Sequence, residues 1–174
     1  EPAWMPLAHS LETEADRADD SSIVSPVYQE IHLHNLDDPD GSSLCVLLTG
    51  RHFEHQFSAA MTFAVDPERP DGLVLDWDVA DRCRSPVAYL AATYHTPLGS
   101  GNLADADSHS IRWDGESPTN PSIEFRAGPP EHVALAEAGR NGSRVQAVAR
   151  LEAGVFTHRL RYRWRWSPGT ERAS

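Results

Sequence analysis

Close to its C-terminus the chain reads His158-Arg159-Leu160-Arg161-Tyr162-Arg163-Trp164-Arg165-Trp166, with arginine alternating strictly with aromatic or aliphatic residues. Successive side chains of a β-strand project to opposite faces. An extended segment here sets Arg159, Arg161, Arg163 and Arg165 on one face and Leu160, Tyr162, Trp164 and Trp166 on the other. An α-helix would scatter both sets around its circumference and give neither a consistent environment. The segment therefore commits the chain to a sheet with one aromatic, core-facing side and one cationic side.

The remainder follows the same logic. Runs with strand character recur at 27–35, 43–49, 53–65, 73–79, 87–95, 110–113, 122–126, 131–138 and 144–151. In 73–79, Leu73, Leu75, Trp77 and Val79 point one way and Val74, Asp76 and Asp78 the other. Segment 43–49 is apolar without alternation, as in a strand buried on both faces. Gly50 marks a bulge or bend after it. The alanines of 87–95 leave room for a short helix. Between the runs stands turn chemistry: Asp37-Asp38-Pro39-Asp40-Gly41, the loop from Asp66 to Gly72, a Gly/Ser/Asn/Asp-rich stretch at 97–107, and Asn141-Gly142. Asn-Gly between alternating runs is a strong hairpin signal.

This pattern predicts an all-β fold: a single antiparallel domain of about nine or ten strands, spaced as in barrels and sandwiches. The domain spans 23–168, and a closed or nearly closed β-barrel is favoured over a two-sheet β-sandwich or jelly roll. The reason is the long final strand, which can pair back with the first. Residues 1–22 are acidic and read as a tail or a short helix, with Leu7, Leu11 and Ala15 at helical spacing. Residues 169–174 read as a C-terminal tail.

Charge and cysteine content narrow the partners. The net charge is −11, and all 15 basic residues are arginine. Non-specific nucleic-acid binding needs a clustered basic surface, so nucleic acid is not an expected partner. No apolar run approaches the roughly 18 residues that span a bilayer. The chain opens on Glu1-Pro2-Ala3-Trp4 without the basic and apolar segments of a signal peptide. The expectation is a soluble, cytoplasmic protein with no membrane partner. Cys45 and Cys83 belong to no CxxC pair, which excludes a zinc ribbon or thioredoxin-type motif. Cys45 lies in the run Leu44 to Leu48 and reads as a buried thiol, with a Cys45–Cys83 bridge left as an alternative.

Two candidate sites emerge. Arginines two apart on one strand face lie about 6.5–7 Å from each other and repel unless anions intervene. Neighbouring strands supply such anions from Asp76, Asp78, Glu124, Glu137 and Glu152, or a ligand does. Arginine forks match carboxylate and phosphate bidentately. The leading functional reading is therefore binding of a small polar or anionic ligand on the face of Arg159, Arg161, Arg163 and Arg165. Enzymes that bind triphosphates inside a β-barrel use such inward basic rows, but their hallmark is a Glu-x-Glu-x-Lys strand near the N-terminus. Here Glu30-Ile31-His32-Leu33-His34 stands at the comparable place and the chain has no lysine, so it departs from that family.

The second site is histidine-based. Glu30, His32 and His34 share one strand face, and His52, Glu54 and Gln56 alternate in the same way. If the two strands pair, His32, His34, His52 and Glu54 form a ligand set suited to a divalent transition metal such as zinc or iron. His-x-His partly resembles the start of a cupin-type metal site, yet Asn35-Leu36-Asp37-Asp38-Pro39 follows where that pattern wants glutamate and spaced glycines. This reading implies a metal-dependent enzyme with Glu30 or Glu54 as ligand or base. The third reading is a structural or interaction domain whose arginines are neutralised by acidic strands. Gly-x-Ser-x-Gly, a Walker loop and a dinucleotide fingerprint are all absent from the sequence.

Overall fold

The computed structural model describes residues 7–11, 21–34, 43–99, 103–115, 121–140 and 142–168. The turn expected at 37–41, residue Asn141 and the tail at 169–174 lie outside them. Thirteen strands follow one another: β1 His9–Ser10, β2 Ser22–Ile23, β3 Glu30–His34, β4 Ser43–His52, β5 His55–Asp66, β6 Arg69–Arg82, β7 Tyr89–Thr96, β8 Leu103–Ala106, β9 Ser110–Trp113, β10 Ser122–Ala127, β11 His132–Gly139, β12 Gly142–Val148 and β13 Thr157–Ser167. Within segment 1–22, His9–Ser10 pairs with His95 and Tyr94, and Ser22 pairs with Tyr89. No helix is long and apolar enough to cross a membrane among the described residues.

The strands form two sheets, so the sandwich is the architecture present and no closed barrel forms among the described residues. The larger sheet runs β3-β4-β5-β6-β13-β10-β9-β8, and the smaller runs β1-β7-β12-β11 with β2 also on β7. A barrel would need β13 to pair with the first strand. Instead β13 is central, antiparallel to β6 over Thr157–Trp166 on one side and to β10 over Tyr162–Ser167 on the other. The edges are β3 and β8, and the 89–96 and 132–148 strands are diverted to a second layer. The Arg140-Asn141-Gly142 segment joins β11 to β12, which pair as the Asn-Gly signal implies.

The core fills the space between the layers. From the large sheet come Val46, Leu48, Phe57, Val79, Leu160, Tyr162 and Trp164, joined by Ile111, Trp113, Ile123 and Phe125 at the far end. Leu90, Ala92, Val133, Val145 and Ala147 of the small sheet meet them. An aromatic cluster binds the layers: Tyr94 of the small sheet meets Phe125, Tyr162 and Trp164 with ring centroids 5.7–6.0 Å apart. Its hydroxyl hydrogen-bonds the Tyr162 hydroxyl at 2.6 Å. Burial raises the pKa of Tyr28, Tyr94 and Tyr162.

The small sheet covers only part of the large one. Inward-facing residues beyond its reach stay exposed, among them Ile31, Leu33, Leu44 and Phe63 on β3–β5 and Trp166 at the end of β13. Segment 43–52 is therefore half-covered, not buried on both faces. Gly50 makes no bulge: β4 and β5 pair without a register shift, and a Cβ at Gly50 would strike the Val27 carbonyl oxygen. The bend comes later, where Phe53, at φ 50°, turns the chain so that His52 faces His55. Cys45 and Cys83 are both buried free thiols. At the sandwich end beside Cys83, His55 Nδ1 lies 2.8 Å from Asp81 Oδ2, both sealed from solvent.

Three outcomes follow. Phe125→Ala, emptying a fully buried ring site, lowers unfolding free energy by about 3–5 kcal/mol in denaturant titration. His55→Ala, which strands the buried Asp81 carboxylate, costs a comparable ~3–5 kcal/mol. The raised tyrosine pKa values favour the protonated form in the folded state. Stability is thus intact below the ordinary tyrosine pKa of about 10 and falls as pH rises above it. Tyrosinate absorbance should then appear for these three side chains only together with loss of the fold; earlier reversible ionisation in the folded chain would contradict this.

Candidate functional site

The outward face of the large sheet carries the arginine row, and strand register determines what lies beside each guanidinium. On β6, Asp78 stands opposite Arg161, and Asp76 opposite Arg163. On β10, Glu124 faces Arg165 and Arg126 faces Arg163. The side chains then couple along diagonals as well as rows. Arg163 binds Asp76 through a fork, Nε to Oδ1 at 2.8 Å and Nη2 to Oδ2 at 3.1 Å. Arg159 forms a fork on Asp78, with Nε donating to Oδ1 at 2.6 Å. That hydrogen bonding and charge raise the Arg159 pKa further. Arg161 donates Nη2 to the Pro129 carbonyl at 3.0 Å and lies 3.8 Å from buried Glu131.

Arg165 differs from the others because it is nearly buried. Its Nε lies 2.9 Å from Asp66, Nη2 3.1 Å from Glu68 and Nη1 3.5 Å from Glu124. Asp66 is fully buried, and its Oδ1 accepts the Glu68 amide at 2.9 Å, which ties the β5–β6 turn to β13. The Nε–Oδ2 contact with Asp66 is electrostatic rather than a well-angled hydrogen bond, since both atoms are left without a hydrogen-bond partner. Val74, on the outward face opposite Arg165, is only 3% exposed. Arginine stems cover apolar surface in this way.

Two depressions open on this face. A groove of about 480 Å³ runs over Ala60, Thr62, Asp76, Asp78, Arg161 and Arg163, walled by Arg126 and the Gly128-Pro129 turn. A second pocket of about 180 Å³ adjoins it at Arg126 and is lined also by Arg69, Arg112, Glu124 and Arg165. Three members of the arginine row thus border open space while remaining ion-paired. The fourth, Arg159, borders a pocket of about 220 Å³ at the other end with Arg150, Arg161 and Glu131.

Strand register sets His52 and Glu54 apart from His32 in the expected metal set. Antiparallel pairing of β3 with β4 places His32 opposite Leu47 and His34 opposite Cys45. His52 lies five residues beyond Leu47 on β4, about 17 Å along the strand. By alternation it also belongs to the opposite face, with Leu48 and Gly50. Glu54 is exposed in the β4–β5 turn. Glu30 is instead held by Thr49 Oγ1 at 2.9 Å and lies 3.6 Å from His32. Among the described residues no group of three or more His, Cys, Asp or Glu side chains is placed to hold a metal ion. Register is the reason: β3 and β4 are neighbours, but β3 pairs with Cys45–Thr49 and stops short of His52.

Sequence reasoning identified Asp76, Asp78 and Glu124 as counter-charges but not Asp66, at the end of β5, or Glu68 and Glu131 in turns, whose return path no local pattern reveals. Arg69, Arg112 and Arg126 were missed for the same reason, since each lies on a different strand. Glu137 lies on β11 in the other sheet. No family model and no curated protein matches the sequence. Among solved structures the chain is similar to one described as heparinase III, the BT4657 gene product, with TM-score 0.47 and 11% identity, covering 80% of this chain and 21% of that one. A second chain, from a structure titled as that of heparinase III, gives TM-score 0.46 and 12% identity over 80% of this chain and 22% of that one. The present chain thus spans about a fifth of either protein.

The four arginines should separate in energy by burial. Arg163→Gln, at a half-exposed pair, changes stability by less than about 1 kcal/mol. Arg165→Gln leaves Asp66 buried and unpaired and costs about 3–5 kcal/mol. Chemical denaturation of both variants checks the ordering.

Proposed function

We propose that the domain binds a small, hydroxyl-rich ligand, such as a sugar or polyol, in the groove over Asp76, Asp78, Arg161 and Arg163. The observation that carries this is a groove of about 480 Å³ whose lining sets Asp76 and Asp78, fixed by ion pairs to Arg163 and Arg159, beside the guanidinium groups of Arg161 and Arg163. A simple anion is disfavoured there, because it must compete with Asp76 for Arg163 and meets the Asp78 carboxylate in the same lining. A hydroxyl both donates and accepts, so it uses spare carboxylate lone pairs and spare guanidinium N–H groups without breaking either pair. Thr62, opposite Asp76 in the register, adds another such group. The fixed forks need little reordering on binding, which lowers its entropic cost.

A second reading is favoured by a specific observation. Arg159, Arg161, Arg163 and Arg165 each have a carboxylate within 4.0 Å, so the row also serves as a charge ladder that holds β6, β13 and β10 in register. The two readings part on ligand binding. Titrating the chain by NMR against a panel of neutral mono- and disaccharides should find a saturable ligand. Its affinity should fall by at least about tenfold in Arg161→Gln/Arg163→Gln, since each charged hydrogen bond contributes roughly 1.5–3 kcal/mol. Absence of any binder, or a binder indifferent to that double substitution, leaves the ladder as the function of the row.

A further inference from the structure

The smaller pocket beside the groove has a different electrostatic character. Four guanidinium groups, from Arg69 on β6, Arg112 on β9, Arg126 on β10 and Arg165 on β13, line about 180 Å³ with a single carboxylate among the described residues, Glu124. The register explains the convergence. Glu124 stands between Arg112 on one neighbouring strand and Arg165 on the other, and Arg126 follows two residues later on the same face. Arg69 reaches in from the start of β6, where its Nη1 donates to Ser167 Oγ at 3.2 Å. Strands far apart in sequence thus deliver like charges to one point, an arrangement with a cost unless acceptors occupy it.

Glu124 meets that demand only in part. One oxygen lies 2.9 Å from Arg126 and the other 3.5 Å from Arg165. Arg112 turns to Asp114 at 3.2 Å, where both side chains are about half exposed and the pair is weakened by water. Arg69 makes no ion pair among the described residues. Arg165 is also met by Asp66 and Glu68, but each guanidinium offers five N–H donors in a planar fork, so donors outnumber the acceptors facing them among the described residues. The acceptor geometry that suits several forks arriving from different strands is a tetrahedral oxyanion, each of whose oxygens accepts from a different arginine.

We infer that this pocket binds a tetrahedral oxyanion, phosphate or sulfate, either as the free ion or as a monoester group of a larger molecule. The site shares Arg126 with the groove but does not depend on the groove's ligand. It also places anion binding one step along the sheet from the middle of the arginine row, where Asp76 already occupies Arg163 and Arg161 is held by Pro129 and Glu131.

The test is isothermal titration of the full chain at low ionic strength with inorganic phosphate, inorganic sulfate and methyl phosphate as probes. Phosphate or sulfate should fill one saturable site. Arg69→Gln/Arg112→Gln, two solvent-facing substitutions, should weaken it by about tenfold or more while leaving the thermal unfolding midpoint without phosphate unchanged. Should the pair of substitutions lower that midpoint, Arg69→Gln alone gives the reading, with a severalfold loss expected. Arg161→Gln/Arg163→Gln should leave oxyanion affinity as it was, which separates this site from the groove. Methyl phosphate binding as tightly as the free ion assigns the pocket to an ester group, and much weaker binding assigns it to the free ion. No saturable binding of phosphate or sulfate, or binding indifferent to Arg69 and Arg112, overturns the inference.

Discussion

The contact on which the rest depends is the meeting of Tyr94 with Phe125, Tyr162 and Trp164 between the two layers. Large rings bury much apolar area per residue, and offset or edge-on ring pairs add to that burial. Three strands from two sheets contribute to one cluster, so the pairing of β13 with β10 and the docking of β7 above them are settled together. Trp77 extends the row by stacking on Tyr162 at 5.8 Å, with Tyr28 beyond it. Because these aromatics occupy the inward positions of β13, the intervening arginines have only the outer face available to them.

That outer face is consequently a product of the core. Four arginines forced into line must be neutralised, and the neighbouring strands do so with carboxylates whose register is set by the same backbone pairing. Where the ladder is exposed, as at Arg163, it contributes little to stability and leaves hydrogen-bonding capacity facing water. Where it is buried, as at Arg165 with Asp66, it ties the β5–β6 turn to the end of β13 and becomes part of the fold. The groove lies over the exposed part and the arginine pocket at the margin of the buried part.

Much of this was legible in the chain itself. Alternation in 158–166 identified the strand, its buried aromatic face and its cationic face, and 73–79 revealed the inward and outward sets of β6. Asn141-Gly142 announced the β11–β12 hairpin. Closure of the sheet was not legible, because a period-two pattern states which residues point inward but not which strand comes next. Hence β13 was expected at the seam of a barrel and is instead in the middle of a sheet. The same gap bears on the metal reading: the offset between β3 and the β4–β5 turn carries His52 and Glu54 away from His32. The turn at Phe53 and Glu54 lacks glycine, asparagine or proline, so nothing in composition marks it. The pocket of Arg69, Arg112, Arg126 and Arg165 is assembled wholly by tertiary register and is invisible in sequence.

The central claim is that the aromatic face of β13 holds the sandwich together while, on its arginine face, Arg161 and Arg163 are the groups proposed to meet a ligand. Side-chain NMR separates these faces directly, because the arginine Nε–H and tryptophan indole resonances are distinct probes. On titration with a saccharide ligand, the resonances of Arg161 and Arg163 should move to saturation while the indole of buried Trp113 stays still. Saturable movement confined to other surfaces, or movement of the Trp113 indole in step with the arginines, would contradict it.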